Sequence, residues 1–235
     1  ARELQGNTED RISKLDLIII NKKNFLLIHL KMTGQLIYQK DGGVIAGGNG
    51  LEVGILQNKH TRVIITFEDQ TKLYFNDLRL FGYMKIVDEK EKEKIKLGFG
   101  IEPLTRNFTL NNFEKIFKNR RTPVKALLLN QKIIAGLGNI YVDEVCFAAG
   151  INPFRQTNKL KKEEIRKLFL AIEKILKRAI AKRGTTFNNY VDSDGKKANN
   201  VKYLKVKRRD GEPCVKCGKN LKRQKIVLIY ILDMD

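Results

Sequence analysis

Length and charge limit what this chain can be. It has 235 residues, with 46 Lys or Arg against 26 Asp or Glu, so its formal net charge is +20. That length allows one large domain or two ordinary ones with a substantial core. The charge favours a polyanionic partner, and nucleic acid is the first choice because neutralised phosphates release counterions. A solvated basic surface and an anionic membrane surface are the alternatives.

Hydropathy and cysteine usage narrow the class of protein further. No apolar run reaches the ~20 residues of a membrane-spanning helix, and no secretory leader is recognisable. Three cysteines, two of them in one Cys-x-x-Cys, fit a reducing compartment better than a disulfide framework. We therefore expect a cytoplasmic protein with no membrane partner.

The first part of the chain predicts β-structure, because short apolar runs are separated by turn residues. The predicted strands are 17–20, 25–30, 36–38, 62–67, 71–75 and 83–87. The glycine-rich segment 41–50 lacks the Lys-Ser/Thr ending of a P-loop, so we predict a flexible hairpin tip there. The charged run 88–96 predicts a solvated face or a linker.

Helices dominate after residue 100. Thr109 is predicted to cap a helix through Phe117, and Pro123 suits the first turn of the next helix. Apolar residues at mostly three- and four-residue steps predict a later amphipathic helix with one buried stripe. That stripe consists of Ile165, Leu168, Phe169, Ile172, Ile175, Leu176 and Ile180.

The most informative segment is glycine-punctuated, residues 135–144 (AGLGNIYVDE). It predicts a helix that ends near Gly150, with Asn139 at the cap position. Glycines let a backbone approach a phosphate, and the first amides of a helix are donors in a favourable dipole. Basic residues precede it at 115, 118, 120, 121, 125 and 132. The segment is therefore predicted to bind the DNA backbone.

These patterns predict an α+β fold with a β-rich domain at 1–98, a helical domain at 99–200 and a basic tail at 201–235. The tail contains Cys214-Val215-Lys216-Cys217 followed by glycine, the shape of a zinc knuckle. Two thiolates at this spacing suit half of a tetrahedral zinc site. Cys146 falls within a predicted helix, and we expect it to be buried.

Several motifs, in order, resemble the formamidopyrimidine-DNA glycosylase (Fpg/MutM) family, bacterial enzymes that excise oxidised purines such as 8-oxoguanine. Residues 29–36 (HLKMTGQL) resemble H-L-x-M-[ST]-G-x-L, and 76–82 (NDLRLFG) resemble D-x-R-[RK]-F-G, with Leu80 where a basic residue is usual. Residues 101–104 (IEPL) are similar to the family's interdomain linker. Residues 122–141 resemble its helix–two-turn–helix.

The resemblance implies a β-sandwich-like half joined to a helical domain with a helix–two-turn–helix and a partial C-terminal zinc-finger hairpin. It implies a monomer that binds double-stranded DNA containing oxidised bases or abasic sites, in a basic cleft between the halves. The implied activity is that of a bifunctional DNA glycosylase and abasic-site lyase, which acts through a Schiff base.

The resemblance also assigns residues. Met32, Arg79 and Phe81 match the residues that fill the void left by a flipped base. The implied DNA-binding residues are His60, Arg79, Arg121, Lys125 and Asn139, and the implied catalytic residue is Lys14. The alternatives are core positions for Met32 and Phe81, solvated charge for Arg121 and Lys125, and an ordinary helix cap for Asn139. His29 either orients the loop of Met32 or is purely structural.

The chain departs from the family pattern at both ends. The family attacks the sugar with an N-terminal Pro amine followed by an acidic Glu, whereas this chain begins Ala1-Arg2-Glu3. We expect that the opening segment is missing and that Glu3 is not the acid. No second Cys-x-x-Cys follows Cys214 and Cys217, so half of the zinc ligands are missing.

Three functions stay open on this sequence. The first is an incomplete Fpg-type enzyme that binds lesion or abasic DNA better than it cleaves it. The second is a catalytically dead lesion- or abasic-site DNA-binding protein, and the third is a basic RNA- or ribosome-associated protein. The void-filling triad favours oxidised purines over the oxidised pyrimidines of the sister group.

Overall fold

The structure is a computed structural model that describes residues 15–19, 23–40, 43–49, 56–182, 184–185, 190–191 and 199–224. The chain forms two compact units. The first comprises Ala1–Gly98 with Arg178–Lys202, and the second comprises Phe99–Lys177 with Tyr203–Asp235. The first unit gives way to the second between residues 98 and 99, close to the boundary predicted near residue 100. Residues 178–202, however, group with the β-rich unit, although they were predicted to lie in the helical domain at 99–200 or at the start of the tail.

The first unit contains two antiparallel sheets, of order β1-β2-β7 and β5-β6-β3-β4-β8. Their strands are β1 Leu15–Ile19, β2 Asn24–His29, β3 Gly34–Lys40, β4 Gly43–Asn49, β5 Thr61–Thr66, β6 Lys72–Asp77, β7 Tyr83–Asp88 and β8 Tyr190–Val191. Leu27 and Ile28 of β2, Ile37 of β3 and Phe75 of β6 are buried. The six strands predicted from the sequence are confirmed.

The prediction of a hairpin tip is wrong at 43–49, which form strand β4. Ala46 pairs with Ile37 in the register of β3 and β4, and it is only 1% exposed, packed with Ile37 and Tyr74. The glycines have low strand propensity, but tertiary context outweighs it, because β3 offers an edge with which residues 43–49 can pair and a buried face for Ala46. Residues 41, 42 and 50 lie outside the described residues.

The charged run is a helix, so its prediction as a linker is wrong. Helix α1 spans Glu89–Leu97, and the Asp88 side chain caps it by accepting the Glu91 N–H at 2.7 Å. Acidic residues lie in its first turn and basic residues in its last, which complements the helix dipole. All nine of its residues are described and none is buried, so the predicted solvated face is confirmed.

The second unit is helical, with α2 Leu110–Phe117, α3 Val124–Leu129, α4 Asn139–Ala149 and α5 Lys162–Ala181, the last turn of which lies in the first unit. Thr109 caps α2 as predicted, and Pro123 occupies the N-cap of α3. Gly150 ends α4 at a φ of 69°, also as predicted. An α+β fold with a β-sheet domain and a helical domain is thus confirmed.

The core of the second unit is built on the apolar stripe of α5. Ile165, Leu168, Ile172 and Ile175 are buried against α2, α3 and α4. Ile180 was predicted to belong to the stripe, but it is 67% exposed because it lies in the last turn, beyond that cluster. No helix among the described residues is long and apolar enough to cross a bilayer.

Candidate nucleic-acid interface

Two loops of the first unit are brought side by side by strand pairing. One connects β2 to β3 and the other connects β6 to β7, and each passes from one sheet to the other. His29 pairs with Tyr83 before the crossing, and Gly34 pairs with Asp77 after it. The loops 30–33 and 78–82 therefore emerge next to each other, although they are nearly fifty positions apart in the chain.

An exposed cluster of Met32, Arg79 and Phe81 lies at the tips of these loops. Met32 is 60% exposed and Phe81 is 54% exposed. Arg79 Nη1 lies 3.5 Å from Met32 Sδ, and the Arg79 guanidinium lies 4.9 Å from the centre of the Phe81 ring. The structure thus brings the three predicted void-filling residues together and excludes the alternative that Met32 and Phe81 are core. Two apolar side chains therefore flank one cation at an exposed position.

The buried carboxylate of Asp77 holds the two loops that carry this cluster. It is 1% exposed, and its carboxylate accepts hydrogen bonds from the Thr33 hydroxyl, from Gly82 N at 2.7 Å and from Arg79 N at 3.3 Å. Burial alone would raise the pKa of Asp77, but the Thr33 hydroxyl and the amides of Gly82, Arg79 and Phe81 outweigh it and hold that pKa below its ordinary value. The ionised carboxylate therefore fixes both loops.

The two histidines lie near the same loops. His29 Nδ1 accepts the Lys31 N–H at 3.1 Å, and its ring lies 5.6 Å from the Tyr83 ring. It thus orients the loop that carries Met32, one of the two roles open from the sequence. His60 is half-buried, and its carbonyl oxygen accepts the Asp77 N–H at 2.9 Å. That bond places His60 next to the strand end from which Arg79 projects.

The helix–two-turn–helix of the second unit consists of α3, the loop 130–138 and α4. The Gln131 side chain closes the loop, since its amide donates to Leu129 O and Leu137 O and its oxygen accepts Gly136 N–H at 2.9 Å. Gly100 N donates to Gln131 O, and a Cβ at Gly100 would lie 2.0 Å from Ile133 C. The backbone preceding α4 is therefore held by side-chain and main-chain contacts.

The cap of α4 differs from the prediction. Gly138 is the N-cap, with φ −106° and ψ 172°, and Asn139 is the first helical residue. No side-chain hydrogen bond caps this helix, and a Cβ at Gly138 would meet nothing within 4 Å. A glycine cap leaves the first-turn amides accessible to an anion, which a side-chain cap would not. The exposed Asn139 lies at the edge of this opening.

The two basic residues predicted here have different surroundings. Arg121 is exposed, just before α3. Lys125 is half-buried, and its Nζ lies 2.6 Å from Asp143 Oδ1, while Lys207 Nζ lies 2.9 Å from Asp143 Oδ2. Lys125 is therefore held by an ion pair and is not simply solvated charge. Sequence reasoning missed Asp77, Gln131, Asp143 and Lys207, because each acts on a partner that the spacing does not reveal.

The Cys-x-x-Cys lies in a short hairpin in which Pro213 pairs with Asn220. The Lys216 N–H approaches Cys214 Sγ at 3.4 Å, and Lys216 Nζ donates to Phe147 O at 2.7 Å at the end of α4. Among the described residues no group of three His, Cys, Asp or Glu side chains could hold a metal. Cys214 and Cys217 therefore do not complete a zinc site within the described part of the chain. Lys14 and residues 225–235 lie outside that part.

Thiol reactivity should separate the three cysteines. Burial raises the pKa of Cys146 to about 12, whereas the amides of Lys216 and Cys217 lower the pKa of Cys214. We expect a charged alkylating reagent to modify Cys214 and Cys217 in the native protein and Cys146 only after unfolding. Peptide mass spectrometry before and after denaturation measures this. Native labelling of Cys146 at the rate of Cys217 would contradict the burial.

Known proteins share both units. Two family models match the chain: the formamidopyrimidine-DNA glycosylase N-terminal domain over residues 3–84 and the formamidopyrimidine-DNA glycosylase H2TH domain over residues 99–190. The formamidopyrimidine-DNA glycosylase of Moorella thermoacetica is 36% identical over 216 residues, covering 91% of this chain and 74% of the relative. That of Listeria monocytogenes is 38% identical over 204 residues, covering 86% and 70%.

Two solved structures resemble this one over most of the chain. The MutM (Fpg) protein from Thermus thermophilus is 33% identical and superposes with a TM-score of 0.78. The match covers 92% of this chain and 76% of that chain. Lactococcus lactis Fpg, in complex with DNA containing an abasic site, is 28% identical with the same TM-score and coverage. The similarity thus extends over both units.

Proposed function

The chain belongs to the formamidopyrimidine-DNA glycosylase family, and on that premise we propose that it excises oxidised purines from duplex DNA. The substrates would be 8-oxoguanine and formamidopyrimidine lesions, and the resulting abasic site would be cleaved through a Schiff base. The protein would act as a monomer on double-stranded DNA that contains an oxidised base or an abasic site.

The exposed cluster of Met32, Arg79 and Phe81 is the observation that carries this proposal. Excision requires the target nucleotide to leave the stack, which costs a few kcal/mol of stacking and pairing. Met32 and Phe81 supply apolar surfaces that replace the lost stacking. Arg79 supplies the donors that pair with the orphaned base. A protein that only bound regular duplex would have no use for exposed apolar side chains around a cation.

The DNA backbone would be held by residues of both units. His60 would contact DNA beside the void-filling cluster. In the second unit, Arg121, Lys125 and Asn139 would bind phosphates together with the first-turn amides of α4. These amides and the positive end of the helix dipole suit a phosphate oxygen. Such contacts set affinity and register, while the cluster of Met32, Arg79 and Phe81 recognises the distorted site.

The bond-breaking steps follow the family's chemistry. In the family, the N-terminal Pro amine attacks the sugar C1′ and displaces the base, with the following Glu as acid, which leaves the opened sugar bound to the amine as an iminium. Loss of the C2′ proton then expels the 3′ phosphate and cleaves the strand. Lys14 is proposed to act on the sugar-phosphate side of this reaction. No step in this chemistry depends on zinc.

Binding and trapping on defined duplexes test the proposal. The 235-residue chain would be titrated with duplexes that carry 8-oxoguanine, an abasic site or no lesion, and borohydride would be added to the abasic complex. We expect at least about tenfold tighter binding to the lesion duplexes than to the undamaged one, and a borohydride-dependent covalent adduct in a chain that carries the family's N-terminal Pro-Glu pair. Equal affinity for all three duplexes would refute the proposal.

A lesion-binding role without excision is the second candidate. Every proposed site residue that the described part of the chain contains would contact DNA bases or phosphates, and none would break a bond. The same experiment separates the two functions. Lesion preference without any covalent adduct in the chain that carries the Pro-Glu pair would establish the binding role, and strand cleavage at the lesion would exclude it.

A further inference from the structure

The loop 78–82 contains a leucine with a strained backbone, Leu80. Its φ is 59°, in the left-handed region, where the Cβ atom lies close to the following carbonyl oxygen and a glycine would avoid the clash. The conformation persists because the residues around it are held. Asp77 accepts the N–H of Arg79 at 3.3 Å on one side of Leu80 and the N–H of Gly82 at 2.7 Å on the other.

The Leu80 side chain is also the most exposed apolar side chain of the loops 30–33 and 78–82, at 65%. Met32, Leu78 and Phe81 follow at 60%, 49% and 54%. Single exposed apolar side chains are common on protein surfaces, but four of them on two adjacent loops form a patch, and such patches mark binding surfaces. Packing within this chain therefore does not account for Leu80.

Strain and exposure together indicate where this side chain acts. An exposed leucine contributes little to the free energy of folding, and a glycine at this φ would avoid the strain. A leucine side chain has no hydrogen-bond donor and no charge, so a phosphate is not its partner. It contributes binding free energy where it leaves water for an apolar surface. In DNA, such a surface is exposed where a base pair has opened and stacking is lost.

We propose that Leu80 is a specificity-determining residue, whose side chain packs against the base faces that are exposed at an opened site. This inference rests on the proposed function, and it adds Leu80 to the cluster of Met32, Arg79 and Phe81. The resemblance to the family assigns no role to Leu80, because a basic residue is usual at that position. A basic side chain would bind any duplex through its phosphates, whereas a leucine adds affinity only at the opened site.

Leu80→Asn tests the side chain while it preserves the backbone, because asparagine adopts the left-handed region more readily than most residues. We expect the affinity for an abasic-site duplex, measured by fluorescence anisotropy, to fall about 5- to 30-fold, since most of a leucine side chain is no longer removed from water. The affinity for undamaged duplex should change less than about twofold, because an intact stack offers Leu80 no apolar surface. The loss should be equal at about 50 and about 200 mM salt, because no phosphate contact is removed.

Two further variants control for the substitution itself. Leu80→Met keeps an apolar side chain of similar volume, so it should bind both duplexes as the wild type does. Leu97→Asn makes the matched change elsewhere in the same unit, because Leu97 is 85% exposed at the end of α1. It should also keep the wild-type affinity for both duplexes. Urea denaturation should show no loss of stability in any of the three variants.

The assignment of Leu80 has three ways to fail. Leu80→Asn protein with wild-type affinity for the abasic duplex would overturn it. An equal loss of affinity for damaged and undamaged duplexes would show a general DNA contact and not a specificity determinant. A loss in Leu80→Met as large as that in Leu80→Asn would show that the apolar character is not what matters. Wild-type protein without lesion preference would instead refute the proposed function.

Discussion

Replacing Phe81 with alanine is expected to weaken binding of an abasic-site duplex by about 5- to 150-fold, because one aromatic–base stack contributes about 1–3 kcal/mol. The ring is 54% exposed, so the free energy of unfolding should change by no more than about 0.5 kcal/mol. The effect would thus fall on recognition and not on folding. Fluorescence anisotropy with labelled duplexes and urea denaturation measure the two quantities.

The matched control is Ile86→Ala. Ile86 is 64% exposed on β7 of the same unit, so the variant removes a similar exposed apolar side chain away from the loop tips. We expect it to keep wild-type affinity for both abasic and undamaged duplexes. Phe81→Ala protein that binds the abasic duplex as tightly as Ile86→Ala would show that the ring does not fill the void.

Asp77→Asn is expected to destabilise the protein by about 3 kcal/mol and to abolish lesion preference, because it leaves a buried donor network with too few acceptors. The amide of the new side chain would face an N–H group of Gly82 or Arg79, where the carboxylate now accepts. Urea denaturation gives the loss of stability, and titration with lesion and undamaged duplexes gives the loss of preference. Asp69→Asn, at an exposed hairpin turn, should have a much smaller effect on both.

The contribution of Asp77 should also depend on pH. Its folded-state pKa is lowered below the ordinary value of 3.8, so its stabilisation is present above that value and is lost as the pH falls through the folded-state pKa. The difference in free energy of unfolding between wild type and Asp77→Asn should therefore be constant near neutral pH and shrink below about pH 4. A difference that stays constant into strong acid would contradict an ionised, bonded Asp77.

The sequence predicts most of the β-unit correctly, and its two errors have different causes. A short apolar run bounded by turn residues is a local signal, so the strands around Leu27, Ile37 and Phe75 could be identified from it. Strand β4 contains three glycines and an asparagine among its seven residues, and it forms because Ala46 packs against Ile37 in a sheet built from distant segments. Helix α1 was missed because charged residues with i,i+3 ion pairs stabilise a helix without any apolar stripe.

Some residues of the proposed site could be identified from the sequence, and others only from the structure. The resemblance of ordered motifs to the family led to Met32, Arg79, Phe81, Arg121, Lys125 and Asn139, and these residue types suit the chemistry of bases and phosphates. Motifs did not reveal that Asp77 holds the two loops or that Asp143 binds Lys125. Those roles depend on hydrogen bonds and ion pairs between residues that are far apart in the chain, whose distances only folding determines.

By itself the sequence determined the basic charge, the α+β class, the family and the side chains suited to DNA, because composition, periodicity and ordered motifs are properties of the chain alone. Only the tertiary structure decided that Gly138 and not Asn139 caps α4, that Lys125 is paired, and that Lys207 stands beside it. It did so through Glu144, whose buried carboxylate requires donors and finds them in the amides of 205–207.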